Sequence, residues 1–321
     1  MALVAAPRGP TRRESEARQM QLDGVLFFPV TPFTPDGEVA LDVLAEHVKH
    51  GVAAGPGGVF VACGTGEFHA LEPGEFERAV RVAVEATAGR VPVFAGVGGS
   101  APLAAAFARA AQRAGADGLL LLPPYLVGCP AAGLVEYVRA AVAATDLPVI
   151  VYQRNNAVFT PETAAEVAQL PTVIGFKDGL GDLDLMQRIV LSVRAAVGEK
   201  PFQFFNGLPT AEMTVPAYKG IGVHLYSSAV FCFAPEISLA FYQSVVRGDT
   251  ARTDLLLREF YRPLVELRDK VPGYAVSLVK AAVARTGLAV GGVRPPLTDP
   301  SEQHLAELDQ ILARGRELAA G

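Results

Sequence analysis

The run TVIGFK, residues 172–177, is a short apolar segment that ends in a lysine. Seven other runs rich in Val, Ile, Leu and Phe accompany it, at a spacing of roughly 30 residues. They occupy residues 24–30, 58–62, 91–95, 118–122, 148–152, 202–206 and 220–225. Their apolarity is continuous rather than alternating, which is typical of parallel strands covered on both faces. The pattern therefore predicts eight buried parallel strands.

Alanine-rich amphipathic segments lie between these runs and predict helices. In the first, residues 41–52, Leu44 and Val48 fall on one helical face. The others cover residues 75–87, 102–115, 133–144, 161–168, 183–196, 210–218 and 235–247. Eight strands that each precede a helix favour an α/β fold, the (β/α)8 TIM barrel, over an open doubly wound sheet. An open sheet usually has a glycine-rich nucleotide turn after its first strand, whereas this chain has Thr31-Pro32-Phe33 there.

The two ends of the chain differ from this repeating middle. Residues 253–270, 274–286 and 301–318 predict three more helices, a C-terminal helical appendage. Residues 1–21 contain several arginines and no apolar stretch of the kind found in a secretory signal. We therefore expect a disordered tail at 1–21, a catalytic barrel at 22–250 and the appendage at 251–321.

Composition argues against several classes of partner. The formal net charge is −5 and the isoelectric point is near 5.6, so no broad basic surface for nucleic acid or anionic membrane is expected. Gly, Pro or a charge interrupts every apolar stretch, so we expect no membrane-spanning helix. Cys63, Cys129 and Cys232 lack the paired spacing of disulfide frameworks or zinc sites, which favours a cytoplasmic protein. A small molecule is the expected partner.

In a (β/α)8 barrel the reacting groups come from the carboxyl ends of strands and the loops that follow them. Five of the predicted strands end in polar residues. These are Gly64-Thr65-Gly66-Glu67, Tyr152-Gln153-Arg154-Asn155-Asn156, Lys177-Asp178-Gly179, Asn206-Gly207 and Tyr226-Ser227-Ser228. The sequence predicts that they share one site.

Lys177 is the sharpest signal among them, because it ends an apolar strand. The other five lysines lie in predicted helices or just before strands, where solvated amines are expected; they are Lys49, Lys200, Lys219, Lys270 and Lys280. Burial disfavours the ammonium form, and a neutral amine can attack a ketone to form a Schiff base. The alternative is a lysine that pairs with a barrel carboxylate, and position alone leaves both open.

The neighbouring polar residues each have a catalytic and a structural interpretation. Tyr152 can relay protons beside the amine, or only pack in the barrel. Gly64-Thr65-Gly66 offers backbone N–H groups and a hydroxyl to a carboxylate, although glycine loops are common. Arg154 suits a second substrate carboxylate or a surface ion pair. Glu67 is an acid or base candidate, but a structural carboxylate is the more frequent role.

Metal ligands are not apparent in the sequence. The histidines form no ligand pair with a carboxylate, and two of them share a helix that is predicted to be an outer one; they are His47, His50, His69, His224 and His304. We expect neither a metal nor another cofactor.

Several motifs together resemble the dihydrodipicolinate synthase/N-acetylneuraminate lyase superfamily, from about residue 22 to the end of the chain. They are PVTPF at 29–33, GTGEF at 64–68, VYQRN at 151–155, GFKDG at 175–179, FNGLPTAE at 205–212 and VRPPL at 293–297. The resemblance implies a barrel enzyme in which Lys177 is the Schiff-base lysine and Tyr152 the catalytic tyrosine. It also implies a homo-oligomer, commonly a tetramer.

Departures from the synthase pattern narrow the expected reaction. Gly64 replaces the first of two threonines, and Leu126 replaces a tyrosine that the synthase donates to a neighbouring subunit. Ala157 stands where the synthase has an arginine. The chain is instead most similar to the decarboxylating dehydratases of the superfamily, which act on 5-dehydro-4-deoxyglucarate. Cys232 departs from that subfamily, where an asparagine is expected nearby.

The resemblance thus implies that the keto-diacid loses water and CO2 and gives 2,5-dioxopentanoate. Lys177 would form the imine and Tyr152 would move protons, while Thr65 with the backbone of Gly64 and Gly66 would hold the carboxylate beside the ketone. Arg154 with Asn155, or Ser227 with Ser228, would contact the hydroxyls and the second carboxylate. The predicted binding set is completed by Asn206 and Gly207.

Two other functions stay open from the sequence. The first keeps the imine but breaks a carbon–carbon bond, as in a retro-aldol lyase that releases pyruvate from another 2-keto-3-deoxy sugar acid. The second is a barrel that binds a keto acid only as a sensor.

Overall fold

The computed structural model describes residues 20–125 and 127–320. The predicted disordered tail therefore lies outside the described residues, apart from Met20 and Gln21. So does Leu126, on which one departure from the synthase pattern depends.

Eight parallel strands close into a barrel in the order of the sequence. They are β1 (Leu26–Phe27), β2 (Gly58–Val61), β3 (Val93–Val97), β4 (Gly118–Leu121), β5 (Val149–Gln153), β6 (Val173–Asp178), β7 (Gln203–Asn206) and β8 (Leu225–Ser228). The barrel closes where Leu26 of β1 pairs with Ser227 of β8. The predicted (β/α)8 barrel is confirmed.

The helices that follow these strands lie close to their predicted positions. They are α1 (Leu41–Ala53), α2 (Pro73–Thr87), α3 (Ala101–Arg113), α4 (Ala131–Val142), α5 (Pro161–Ala168), α6 (Leu183–Val197), α7 (Val215–Gly220) and α8 (Pro235–Arg247). A capping hydroxyl fixes the start of α5, where the Thr163 N–H donates to Thr160 Oγ1 at 3.2 Å and Pro161 is the first helical residue.

One strand prediction is wrong in position. The apolar run at 220–225 is largely the end of α7 and a turn, in which Gly222 has a φ of 79°. Glycine reaches this left-handed conformation without steric cost, so the chain turns there. Strand β8 begins only at Leu225, and Ser227 and Ser228 lie within it rather than after it.

Aromatic rings fill the barrel interior. Phe28, Phe60 and Phe94 stack with centroid separations of 4.6 and 4.9 Å. Gly118 is required beside this stack, because a Cβ atom there would lie 2.3 Å from the Phe94 ring. Phe28, at one end of this stack, also lines a cavity at the carboxyl ends of the strands.

The C-terminal helices pack against the barrel. They are α9 (Thr250–Leu256), α10 (Arg262–Arg268), α11 (Tyr274–Ala284) and α12 (Glu302–Ala320). The helix predicted at 253–270 contains a π-helical turn, Leu257–Tyr261, which ends two residues before Pro263. Proline has no N–H to donate, which accounts for the changed hydrogen-bond register there. None of the described helices has the length and apolar character needed to cross a bilayer.

Candidate active site

A cavity of about 650 Å³ opens at the carboxyl ends of the strands. Its barrel wall includes Phe28, Cys63, Gly64, Thr65, Tyr152, Arg154, Asn155, Lys177, Gly207 and Ser227. The C-terminal helices supply the opposite wall, with Leu264, Arg268, Tyr274, Leu278 and Val279. The appendage is therefore part of the cavity, a role that its sequence did not indicate.

Lys177 lies on β6 with only 5% of its surface exposed. Its Nζ atom is 4.3 Å from the centroid of the Phe28 ring and 4.6 Å from that of Tyr152. Within the described part of the chain, no carboxylate forms an ion pair with it. Burial lowers the pKa of the amine to about 7, and the nearby Arg154 charge acts in the same direction. A substantial fraction of Lys177 is thus neutral and nucleophilic near neutral pH.

The next residue on the strand faces away from the cavity. Asp178 accepts hydrogen bonds from Gln153 Nε2 at 2.8 Å, from the Tyr218 hydroxyl and from the Leu180 N–H. Side chains alternate across a strand, so the anchored Asp178 fixes Lys177 on the cavity side. The carboxylate nearest in sequence to the amine is therefore occupied elsewhere.

Tyr152 lies on β5 directly opposite Lys177 in the strand register. Its hydroxyl donates to the Gly207 carbonyl oxygen at 2.8 Å, and Arg154 Nη1 lies 3.4 Å from the same hydroxyl. Burial raises the pKa of the phenol, so it stays protonated and able to donate. The expected pairing of amine and phenol in one site is present in the geometry.

Gly207 makes this close approach possible. A Cβ atom at this position would lie 2.5 Å from Lys177 Cε and 2.8 Å from Tyr152 Cε2. Its carbonyl also orients the Tyr152 hydroxyl. Gly207, predicted only as a substrate contact, therefore also allows the Lys177 and Tyr152 side chains to lie close together.

The loop after β5 brings Arg154 and Asn155 to the cavity wall. The Ala157 N–H donates to the Arg154 carbonyl at 3.0 Å, which closes the loop as a tight turn. Arg154 forms no ion pair among the described residues, so the alternative of a surface salt bridge is not realised. Its guanidinium is available to an anion in the cavity.

In the glycine loop after β2, some residues line the cavity and others pack against the protein interior. Gly64 and Thr65 line the cavity, whereas Gly66 does not. The Gly66 carbonyl accepts a hydrogen bond from Thr31 Oγ1 at 2.6 Å, and a Cβ atom there would lie 3.1 Å from the Ala62 nitrogen. Gly66 thus lies close against the Ala62 backbone, and its predicted contact with substrate is not supported by its place in the fold.

Glu67 is engaged in a buried ion pair rather than in the cavity. Its Oε1 atom lies 2.7 Å from Lys280 Nζ, and its Oε2 atom accepts the Arg294 N–H at 2.9 Å. Of the two roles open to Glu67, this geometry matches the more frequent one, a structural carboxylate that binds nearby backbone. The expectation that Lys280 is solvated was wrong. Only 1% of Lys280 is exposed, because α11 packs over the loop that follows β2.

Two more predicted binding residues point away from the cavity. Asn206 Nδ2 donates to the Ala211 carbonyl at 3.1 Å and to Thr214 Oγ1 at 2.7 Å. Ser228 Oγ donates to Glu212 Oε1 at 2.5 Å. Strand alternation places their neighbours Gly207 and Ser227 on the cavity wall instead. The predictions of Asn206 and Ser228 as substrate contacts are corrected accordingly.

Several cavity residues were not anticipated from the sequence. Cys63 lies on the wall near Lys177, and burial raises the pKa of its thiol to about 12. Arg268 of α10 donates from Nη1 to the Pro209 carbonyl at 2.8 Å and to Thr210 Oγ1 at 3.0 Å. Arg268 had no local signal, because a charged residue on a predicted helix is usually solvated. Cys63 directly precedes the glycine loop at the end of β2, and that position could have indicated it.

The remaining polar expectations concern metals and Cys232. In the described ranges, no group of three or more His, Cys, Asp and Glu side chains could hold a metal ion. His47, predicted on an outer helix, is buried against Phe27, and burial lowers its pKa to about 4. Cys232 is also buried, and its thiol donates to the Phe28 carbonyl at 2.8 Å. Cys232 thus lies behind the cavity wall rather than in it.

Comparison with known proteins agrees with this architecture. Residues 21–314 match the model of the dihydrodipicolinate synthetase family. The chain is 61% identical over 295 residues to a protein of Streptomyces avermitilis named probable 5-dehydro-4-deoxyglucarate dehydratase 1, covering 92% of this chain and 94% of that protein.

Two solved structures extend the comparison. Dihydrodipicolinate synthase from Oceanobacillus iheyensis superposes with a TM-score of 0.85 at 24% identity, covering 95% of this chain and 99% of that chain. YagE, a prophage protein of E. coli K12 solved in complex with pyruvate, gives a TM-score of 0.80 at 25% identity, covering 91% and 98%. The family model and the identity to the Streptomyces protein confirm the resemblance seen in the motifs, and this chain belongs to the dihydrodipicolinate synthetase family.

Proposed function

We propose that this protein is a decarboxylating hydro-lyase that converts 5-dehydro-4-deoxyglucarate into 2,5-dioxopentanoate, water and CO2. The observation that carries the proposal is Lys177, a buried amine that faces the cavity beside the Tyr152 phenol and has no carboxylate partner among the described residues. The names of the similar Streptomyces proteins support the substrate. The pyruvate complex of YagE supports a 2-keto acid as the class of ligand.

Imine formation begins with attack of the neutral Lys177 amine on the substrate ketone. Burial keeps the pKa of the amine at about 7, so this form is present at neutral pH. Tyr152, with its hydroxyl held by the Gly207 carbonyl, is placed to give a proton to the departing oxygen. The ketone oxygen leaves as water, and a cationic imine remains on Lys177.

Dehydration follows because the cationic nitrogen accepts electrons. The CH2 group beside the imine carbon loses a proton, and the resulting enamine expels the hydroxyl of the next carbon. That hydroxyl takes up a proton and leaves as water. The product is an unsaturated iminium, which extends the electron sink to the carbon that bears the second carboxylate.

Decarboxylation uses this extended sink. The bond to the second carboxylate breaks, CO2 leaves, and the electron pair moves through the conjugated system to nitrogen. The remaining dienamine carries an enol. Protonation of one carbon, with loss of the enol O–H proton, gives the aldehyde, and protonation of the carbon beside the former imine restores the iminium on Lys177. Hydrolysis of that iminium releases the Lys177 amine. Net, the diacid loses one water and one CO2, so no oxidant or reductant is consumed. The imine supplies the electron sink, and we propose that the reaction requires no metal or organic cofactor.

Binding of the diacid needs a group for each carboxylate. Thr65 and the backbone near Gly64 line the cavity and suit the carboxylate beside the ketone. Arg154 and Asn155 suit the second carboxylate and the hydroxyls, since a guanidinium can bind a carboxylate with two parallel hydrogen bonds. Ser227 is the remaining predicted polar contact on the wall.

The test is incubation with 5-dehydro-4-deoxyglucarate while CO2 and aldehyde are followed. A parallel sample is reduced with borohydride and analysed by peptide mass spectrometry, with Lys177→Met as the matched control. We expect CO2 release and an adduct on the Lys177 peptide of the wild-type protein only. Pyruvate release in place of CO2 would make the protein a retro-aldol lyase, and no adduct with any keto acid would favour a sensor.

We also propose that the protein works in the cytoplasm as a homotetramer. The absence of paired cysteine spacing supports the compartment, and family resemblance supports the assembly. Tyr125 and Val127 expose apolar side chains in the loop after β4, which suits an intersubunit contact. Light scattering of the purified protein measures the assembly directly, and a monomer would overturn it.

A further inference from the structure

A buried ion pair joins the C-terminal helices to the glycine loop of the cavity. Glu67, which follows Gly64-Thr65-Gly66, lies 2.7 Å from Lys280 of α11. The exposed fractions of the two side chains are 0% and 2%. Such a pair is favourable only in a close, well-packed geometry, since each charge alone would be costly to bury. The pair therefore links the position of the loop to that of α11.

The backbone of Glu67 needs such support. Its φ is 55°, in the left-handed region that non-glycine residues rarely adopt. Its N–H donates to the Gly64 carbonyl at 3.1 Å, and the Phe68 N–H donates to the Cys63 carbonyl at 3.1 Å. Surrounding contacts must maintain a conformation of this kind. The side chain of Glu67 supplies them through Lys280 and the Arg294 N–H.

The Lys280 ammonium has no local substitute. The nearby Arg294 guanidinium is bound to both oxygens of Glu75 and to the Ala70 carbonyl. The Phe33 ring lies 3.8 Å from Lys280 Nζ and 4.1 Å from the Arg294 guanidinium carbon, and so packs against both cations. Without Lys280, the Glu67 carboxylate would keep the Arg294 N–H donor and the more distant Arg294 charge, which is bound to Glu75, but would lose its direct ion pair.

We infer that Lys280 is a positioning residue for the keto-acid site: through Glu67 it fixes the Gly64–Thr65 segment against which the carboxylate beside the ketone binds. This inference rests on the proposed function. Loss of the pair allows Glu67 to move toward solvent and carries the Thr65 hydroxyl and the neighbouring N–H groups with it. Lys177 lies on a different strand, anchored by Asp178, and keeps its place. The C-terminal helices thereby set the affinity for the substrate carboxylate and not the reactivity of the amine.

The experiment measures reductive trapping of two ligands by the full-length protein. Pyruvate carries the carboxylate, and pyruvamide replaces it with a neutral amide. In Lys280→Met we expect the half-saturating concentration of pyruvate to rise about 10- to 100-fold, because displacement of a binding group by about an ångström has effects of that order. The value for pyruvamide and the trapping rate at saturation should stay within about twofold of the wild type.

Two further variants separate positioning from general stability. Val283→Ala removes a buried contact from the same helix without touching the ion pair, and should lower Tm without raising the half-saturating pyruvate concentration. The double variant Glu67→Gln/Lys280→Met leaves no buried charge, so it should recover Tm but not pyruvate affinity. It also provides the measurement if Lys280→Met alone does not fold.

The outcomes are distinct. A wild-type protein that forms no adduct overturns the proposed function and this inference together. If the wild type forms the adduct but Lys280→Met and the double variant bind pyruvate normally, the inference alone is wrong. Equal weakening of pyruvate and pyruvamide, or the same loss of pyruvate affinity in Val283→Ala, would reduce Lys280 to a structural residue.

Discussion

Lys177 and Lys280 are both buried in this protein, yet they lie in opposite electrostatic surroundings. Lys177 ends a barrel strand, faces the cavity and has no carboxylate partner among the described residues. Lys280 lies on α11 and contacts the Glu67 carboxylate at 2.7 Å. Burial lowers the pKa of both amines, but for Lys280 the Glu67 charge opposes the change. Both lysines are buried, so burial alone does not distinguish them. The difference is the carboxylate partner: Glu67 stabilises the charged form of Lys280, whereas Lys177 is suited to act as a nucleophile.

The largest expected effect concerns reactivity. Lys177→Met should lower kcat by about 10³-fold or more, because loss of a covalent nucleophile removes the route through the imine. Turnover of 5-dehydro-4-deoxyglucarate and borohydride trapping measure this directly. Substantial activity in the variant would contradict the assignment of Lys177 as the nucleophile and remove the proposed difference in reactivity between Lys177 and Lys280.

The second effect is a change in the free energy of unfolding, which should differ between substitutions of the two lysines. Lys280→Met should lower the free energy of unfolding by about 3–5 kcal/mol, since it leaves Glu67 buried and unpaired. Lys177→Met should leave it unchanged or raise it, because an unpaired amine is replaced by an apolar side chain of similar shape. Urea unfolding at neutral pH gives both values. Equal losses in the two variants would mean that Lys177 also has a stabilising partner.

Arg154 tests how far the cavity depends on a second cation. Arg154→Ala should raise KM for the diacid by about 10- to 100-fold, the effect of losing one charge-assisted contact. Pyruvate trapping should change much less, because pyruvate lacks the second carboxylate. The variant should also raise the pKa of Lys177, since the Arg154 charge lowers it. An unchanged kcat/KM for the diacid would remove Arg154 from the binding site.

The rate of reductive trapping should depend on pH through the protonation of Lys177. The pKa of Lys177 is about 7 in the folded protein against 10.5 for an ordinary lysine. The trapping rate should rise about tenfold per pH unit below pH 7 and level off above it. Cyanoborohydride reduction across this range gives the midpoint. A midpoint near the ordinary lysine value would show that water reaches the amine freely.

The lowered pKa of Lys177 should also make the free energy of unfolding increase with pH. Between pH 7 and about 10 the unfolded chain retains a proton that folded Lys177 has released, so the stability of the wild type rises with pH relative to Lys177→Met. Below pH 7 the unfavourable contribution of Lys177 is complete and the difference is constant. Thermal unfolding of both proteins across this range measures the difference, and parallel profiles would contradict the assignment.

Much of the site could be predicted because strand alternation and apolar pattern are local properties. Lys177 and Tyr152 each come at the end of a continuous apolar run, which predicts their place at the carboxyl edge of the barrel. The same logic failed at β8, where the predicted run at 220–225 overlaps the strand Leu225–Ser228 at one residue only, since the apolar pattern does not show where α7 ends. Ser228 was consequently predicted to contact substrate, although it lies within the strand and its hydroxyl binds Glu212. Asn206 was misjudged for a related reason, because sequence alone does not fix which of two neighbours faces inward.

The sequence by itself determined the barrel, its family and the amine and phenol at its centre, because each depends on hydrophobic period and on motifs a few residues long. Only the tertiary structure decided which charged residues are paired. The partners Glu67 and Lys280 are 213 residues apart in the sequence. The contact between Glu67 and the Arg294 N–H joins residues 227 apart. The same holds for Arg268, which lines the cavity because folding brings α10 to the carboxyl ends of the strands. Electrostatic surroundings depend on distances in space, and no local pattern encodes the distance between segments brought together by folding.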